Sequence, residues 1–269
     1  MIGTLAQLVS LTSYGNQCIC SGEFPLYYYP QNSTFQFCNT VDFRQLNNGQ
    51  ESVLCPNPNS FFGYLKLSAC KKVRLYYQPA SPREGAMEHQ LAGMVGGGGT
   101  WMLETIYTGY SNYWSNRWQV TKKEDPDNKI WSVNYLLTHP NKPTNNLQPN
   151  VIITMADLGA ALQAITVFAK QQNLSNWAEI FDRALARLNS NSPETDYYHQ
   201  DLIVTVNYPL PARQLLFAAG SAWVFGGMGS WNDLGFNTPE EQKAYIHLSA
   251  SLYDTINRSI VAAINSFPV

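Results

Sequence analysis

An imidazole held near a carboxylate can be oriented as a general base, and the run Tyr197-Tyr198-His199-Gln200-Asp201 places one of only four histidines two residues from an aspartate. No nucleophile is linked to that pair in sequence, so a loop histidine tied to local polar groups is the competing reading. Glu104 and Arg117 fall in two alternating runs, where a carboxylate and a guanidinium can meet across a sheet as an ion pair or line a pocket. The ion pair is the expected use. Glu104, His199 and Asp201 are therefore the candidate catalytic residues. A second cluster is Gly226-Gly227-Met228-Gly229-Ser230-Trp231-Asn232-Asp233. Ser230 lacks the spacing of a nucleophile elbow, and a helix-ending turn accounts for much of the run. Three glycines, an aromatic plate and an Asn-Asp pair exceed what turn closure needs, which makes Met228, Ser230, Trp231, Asn232 and Asp233 the candidate binding residues.

Other chemistry is not indicated. Gly96 to Gly99 precede a strand rather than a helix, so they do not form a phosphate cradle. Cys18, Cys20, Cys38, Cys55 and Cys70 are odd in number and no export signal precedes them, which argues against a disulfide framework. Cys18-Ile19-Cys20 is too tight for a zinc knuckle and no histidine follows at ligand spacing. Small, mostly buried thiols are expected, with no metal and no cofactor. The sequons at Asn32, Asn173 and Asn257 carry little weight in so Asn-rich a chain. Trp101, Trp114, Trp118 and Trp131 put four indoles into about thirty residues. Core packing is their expected use, and stacking on sugar rings or a protein partner is the alternative.

The 269 residues include 17 Lys+Arg and 19 Asp+Glu, and the 40 amides (24 Asn, 16 Gln) outnumber those 36 charges. A net charge of −2 without a basic module leaves no footprint for sequence-independent nucleic-acid binding. Recognition would rest on aromatic and amide contacts and depend only mildly on salt. No uninterrupted apolar run has the length of a membrane span and no signal peptide is read at the start, so a cytoplasmic protein is expected.

The elements that must position these residues read in two halves. A helix is expected from Thr4, closed by Gly15, followed by an irregular Tyr-rich stretch, one short strand at 34–38, a short helix capped by Ser60 and a strand over 73–78. Thr100 to Thr108 alternates as a half-buried strand, and Arg117–Lys122 with Ile130–Thr138 forms a hairpin around Glu124-Asp125-Pro126-Asp127-Asn128. Residues 139–150 read as a linker. Beyond it the period becomes helical, with helices opening at Thr154, Ser175, Pro211 and Thr238-Pro239-Glu240-Glu241. The third is apolar nearly all round and is expected to be central.

The stretch Trp223 to Asp233 and the acidic-capped helix after it resemble a C-terminal signature of uncharacterised bacterial proteins, some of which look like immunity proteins of polymorphic toxin systems. The resemblance covers about forty residues. It implies a cytosolic protein that neutralises a toxin-like protein partner by stoichiometric binding, with no catalytic residues to transfer. The expected fold is α+β, an antiparallel meander in residues 1–150 packed against a helical part in 151–269 as one domain. Two functions follow: a non-catalytic, immunity-like protein binder contacting its partner through 226–236, or an enzyme or carbohydrate-binding protein with an aromatic and amide-lined cleft. The second requires some of Glu104, His199 and Asp201 to converge beside exposed indoles.

Overall fold

A computed structural model of the chain describes residues 1–22, 27–81, 87–94, 97–144 and 148–268; Gly96 of the glycine run lies outside them. The fold is α+β, with a six-stranded, mostly antiparallel sheet in the N-terminal half and helices in the C-terminal half. The strands are β1 (Cys38–Asn47), β2 (Gln50–Cys55), β3 (Lys72–Gln78), β4 (Thr100–Ile106), β5 (Ser111–Val120) and β6 (Trp131–Lys142). Their order is β2-β1-β6-β5-β4-β3, with β1 and β6 parallel and every other pair antiparallel.

The meander from β4 to β6 follows the alternation of its sequence. β1 and β2 replace the single short strand expected at 34–38, because the alternation of β1 is carried by buried Val41 and Phe43 against polar Asp42 and Arg44. On the outward face Arg44 pairs with Asp42 at 2.8 Å, Asn134 reaches Asp42 at 2.9 Å, and Arg117 pairs with Glu51 at 2.9 Å. On the inward face Phe43 stacks on Phe61 and Tyr135, with Trp114 edge-on to both phenylalanines.

Two long helices frame the sheet. α1 (Gly3–Ser21) runs beyond Gly15 and stops at Gly22, which takes the left-handed backbone (φ 74°) that a glycine C-cap supplies. It is buried nearly all round, polar residues included. Each of those polar groups has a partner: Gln7 accepts from the Tyr135 hydroxyl at 2.6 Å, Ser10 meets Tyr28 at 3.1 Å, and Ser13 accepts from Val204 N at 3.0 Å. A short helix α2 (Pro58–Leu67), capped by Asn57 rather than Ser60, and the one-turn α3 (Glu88–Leu91) complete the N-terminal half.

The helical layer comprises α4 (Val151–Gln171), α5 (Ser175–Leu188), α6 (Leu210–Ser221) and α7 (Pro239–Asn265). α7 opens with the full Thr238–Glu241 capping box, whereas α4 starts four residues early, where Asn150 accepts from the amides of Ile152 and Ile153. α4 bears on the expectation about membrane spans, which holds for uninterrupted runs. With mean hydropathy 1.8 it is long and apolar enough to cross a membrane, although a third of that stretch is buried against its neighbours. Thr154, Asp157 and Gln163 interrupt its apolar run, so a count of uninterrupted residues passes over it.

The β3 edge of the sheet is closed by two amides. Asn16 of α1 donates to Val73 O at 2.7 Å and accepts from Val73 N at 2.8 Å; Asn265 of α7 accepts from Leu75 N at 2.8 Å and donates to Leu75 O at 2.9 Å. Either Asn→Ala change leaves a buried backbone N–H and C=O unpaired, so each is expected to cost about 2–4 kcal/mol in urea denaturation. A loss under about 0.5 kcal/mol for both, the size of an ordinary surface change, would show that the strand edge does not need them.

Candidate functional site

Two segments far apart in sequence meet beside the N-terminal turn of α1. Residues Ser33–Phe35 form a 3-10 turn because Asn32 caps it, its Oδ1 accepting from Thr34 N at 3.1 Å and from Ser10 Oγ at 3.3 Å. The amide end of Asn32 donates to Asp201 O at 2.7 Å, and the Tyr14 hydroxyl donates to the same carbonyl at 3.1 Å. Asp201 in turn accepts from Ser33 N at 2.8 Å through one carboxylate oxygen and from the Ser33 hydroxyl through the other. Ser33 Oγ lies 2.7 Å from His199 Nδ1.

One hydroxyl proton cannot serve both neighbours. A carboxylate only accepts, so the Ser33 proton points to Asp201, and Nδ1 of His199 must then carry the proton donated to Ser33 Oγ. That tautomer leaves Nε2 as the basic nitrogen. Burial pushes the His199 imidazole below its usual range, and the Asp201 charge opposes this only in part, so the ring is neutral near neutral pH. Ser33 is thus a positioning residue in a relay from Asp201 to His199, and its hydroxyl is spent rather than activated.

His199 and Ser33 line a cavity of about 420 Å³, within the size range of small-molecule sites. Its walls include Trp118 and Trp131, which meet edge to face at 5.9 Å across the β5–β6 pair, together with Phe37 and the 70% exposed Tyr198. Trp118 Nε1 is buried with no partner among the described residues. Gln36 adds an amide and bonds the Tyr198 hydroxyl.

Glu104 lies elsewhere. Its ion-pair partner is Arg74, not Arg117, because Arg74 and Glu104 sit directly opposite in the β3–β4 register while Glu104 faces Tyr113 on β5. The pair is bidentate at 2.9 Å, almost fully buried, and takes a further bond from the Tyr113 hydroxyl at 3.1 Å. Its carboxylate has a partner on each oxygen, as a buried charge requires.

Residues 226–233 form an anchored turn. Ser230 caps Trp231–Asp233, and Asp233 accepts from the amides of Gly229 and Ser230. Asn232 donates to His89 O at 2.8 Å. Trp231 is fully buried among Trp177, Phe181 and Tyr245, with Nε1 donating to Ser249 at 2.7 Å. Met228 alone of the five is fully exposed. The segment after α3 presses on this turn so closely that a Cβ at Gly93 would overlap the Gly226 carbonyl.

Of the four clustered indoles, Trp114 is core and bonds Thr105, while Trp101, Trp118 and Trp131 keep part of their surface. All five cysteines are free and only Cys20 is exposed. No group of three His, Cys, Asp or Glu able to hold a metal occurs among the described residues. Comparison of the chain with family models, curated proteins and solved structures finds no match.

His89, beneath the 226–233 turn, gives a test of that anchoring. Burial lowers its imidazole from an ordinary 6.5 to about 4. The unfolded chain therefore binds a proton near pH 6.5 that the folded chain refuses until about pH 4, so stability is full above 6.5 and is lost as pH falls between those values. His89→Phe, facing Phe225, is expected to flatten the fall in thermal midpoint across that window. An unchanged slope would place the acid sensitivity elsewhere.

Proposed function

We propose that this protein binds a saccharide in the cavity beside α1, with a ligand hydroxyl donating to His199 Nε2. The observation that carries the proposal is the convergence of the Asp201–Ser33–His199 relay with the part-exposed indoles of Trp118 and Trp131 on one cavity. Indole faces suit the apolar C–H face of a sugar ring, and hydroxyl, amide and imidazole groups suit its rim. Of the three polar candidates His199 lines this cavity, Asp201 stands behind it through Ser33, and Glu104 lies elsewhere.

A non-catalytic, immunity-like binder contacting a toxin-like partner through 226–236 has less support. Of its five contact residues Trp231 is buried, and Ser230 and Asn232 are turned inward by bonds to Gly226 O and His89 O, which leaves Met228 and Asp233 exposed.

Titrating the protein with mono- and disaccharides, followed by ligand-observed NMR and tryptophan fluorescence, tests the proposal. His199→Ala is expected to weaken binding about tenfold, the size of one hydrogen bond. Ser33→Ala is expected to weaken it less while moving the pH profile, since Nδ1 loses its acceptor. In the unaltered protein binding should be flat through neutrality and fall in acid, as protonation turns Nε2 from acceptor to donor. Saccharides that do not bind, or that bind His199→Ala and Trp118→Ala as well as the parent, would reject it.

A further inference from the structure

The seven tryptophans divide by burial. Trp114 and Trp231 are fully buried core residues, and the other five all keep part of the indole accessible. Each of those five lines at least one of three cavities. Trp118 and Trp131 belong to the His199 cavity; Trp177 and Trp223 line a second of about 530 Å³; Trp101 and Trp223 line a third of about 410 Å³. The three adjoin. Ile2, at the first turn of α1, lines all of them, Thr4 is common to the first and third, and Trp223 is the wall between the second and third.

We infer that these cavities are the lobes of one cleft, wrapped around the first turn of α1, that holds a neutral oligosaccharide with one or more sugar rings against the indoles of each lobe. This rests on the saccharide reading of the His199 cavity and extends it from a single unit to a chain. An isolated indole left half-exposed is unremarkable, but five on adjoining walls with none elsewhere make a row of flat apolar platforms. Between them the polar lining is mostly neutral, with Thr100, Ser115 and Asn116 in the third lobe and Ser221 in the second, beside the Met1 amino group that donates to Gly220 O. Among the described residues Arg183 is the only Lys, Arg, Asp or Glu lining any of the three.

That scarcity selects among extended ligands with stackable groups. A single-stranded nucleic acid also stacks its bases on aromatic platforms, but its phosphates require a cationic groove. One arginine does not make such a groove. A neutral glycan chain brings hydroxyls and ring faces to the same wall with no charge to neutralise. Its length lets several weak stacking contacts add without a second binding event, so affinity should rise with each occupied lobe.

The test is calorimetric titration of the full chain with cello-oligosaccharides and, in parallel, chito-oligosaccharides of one to six units. The expected result, in either series, is an affinity that rises at least tenfold from one unit to four and then levels off. Trp223→Ala should drive the six-unit to one-unit affinity ratio toward one, and Trp223→Phe, which keeps an aromatic plate, should restore most of it. Because the Trp223 indole N–H also bonds Phe225 O at 2.8 Å, circular dichroism and thermal midpoint establish that both variants are folded. Affinity independent of length in both series, or a ratio unaffected by Trp223→Ala, overturns the inference while leaving a single-unit site at His199 intact. If no saccharide of any length binds, the saccharide reading itself fails and this one with it.

Discussion

The edge of a β-sheet is a row of unpaired amides and carbonyls, and in this protein the arrangement of everything around the sheet follows from how that row is closed. The outward-pointing groups of β3 at Val73 and Leu75 are two residues apart, and each receives a side-chain amide that supplies one donor and one acceptor. No other common side chain does this with two atoms in one plane, since carboxylates only accept and ammonium or guanidinium groups only donate. Asn16 and Asn265 thereby fix α1 and α7 against the same strand. With α1 fixed, its first turn falls where the three cavities adjoin. With α7 fixed, Tyr245 and Ser249 fall where Trp231 needs partners.

Pinning α1 in the interior has a cost of its own. A helix carrying Gln7, Ser10, Ser13 and Asn16 has no face that can be buried against a purely apolar surface, because each unpartnered polar group would cost about 1–3 kcal/mol. Gln7 and Asn16 find partners on β6 and β3, whereas the partners of Ser10 and Ser13 come from segments with little regular structure of their own: Tyr28 and Asn32 for Ser10, and the Val204 amide for Ser13. The same network continues through Asn32 to the Asp201 carbonyl. The irregular stretches at 27–36 and 197–208 are thus held in place by the polar positions of α1, and the His199 relay is the outer end of that network.

This explains which parts were legible from residue order. α5 and α7 carry their information locally and stand where the pattern puts them, whereas the β5–β6 hairpin keeps its expected turn but has longer strands, β5 starting at Ser111 and β6 running to Lys142 into residues expected as a linker. α1 was readable as a helix but not as a buried one, since its polar residues look solvent-facing until their distant partners are known. The alternation of β1 is obscured by Asp42 and Arg44, which satisfy each other on the outward face. At the candidate site, His199 and Asp201 were visible as an imidazole and a carboxylate two residues apart, whereas Ser33, which connects them, is more than 160 residues away. Its only local signal was the Asn32 cap, which the sequence presents equally as a sequon.

Charge is scarce here for the same reason that amides are abundant. Charged side chains occur mostly where solvent reaches them, and the exception shows the condition for burying one. Arg74 and Glu104 face each other in register, so the pair forms without either side chain leaving its strand geometry, and Tyr113 adds a bond to the carboxylate. A buried ion pair survives only when geometry and extra hydrogen bonds offset desolvation. Where backbone groups rather than a second charge need satisfying, at the β3 edge and at the cap of the Ser33 turn, the chain uses asparagine. A surface built by the same economy presents hydroxyls, amides and part-covered indoles, a chemistry suited to neutral ligands with flat apolar faces.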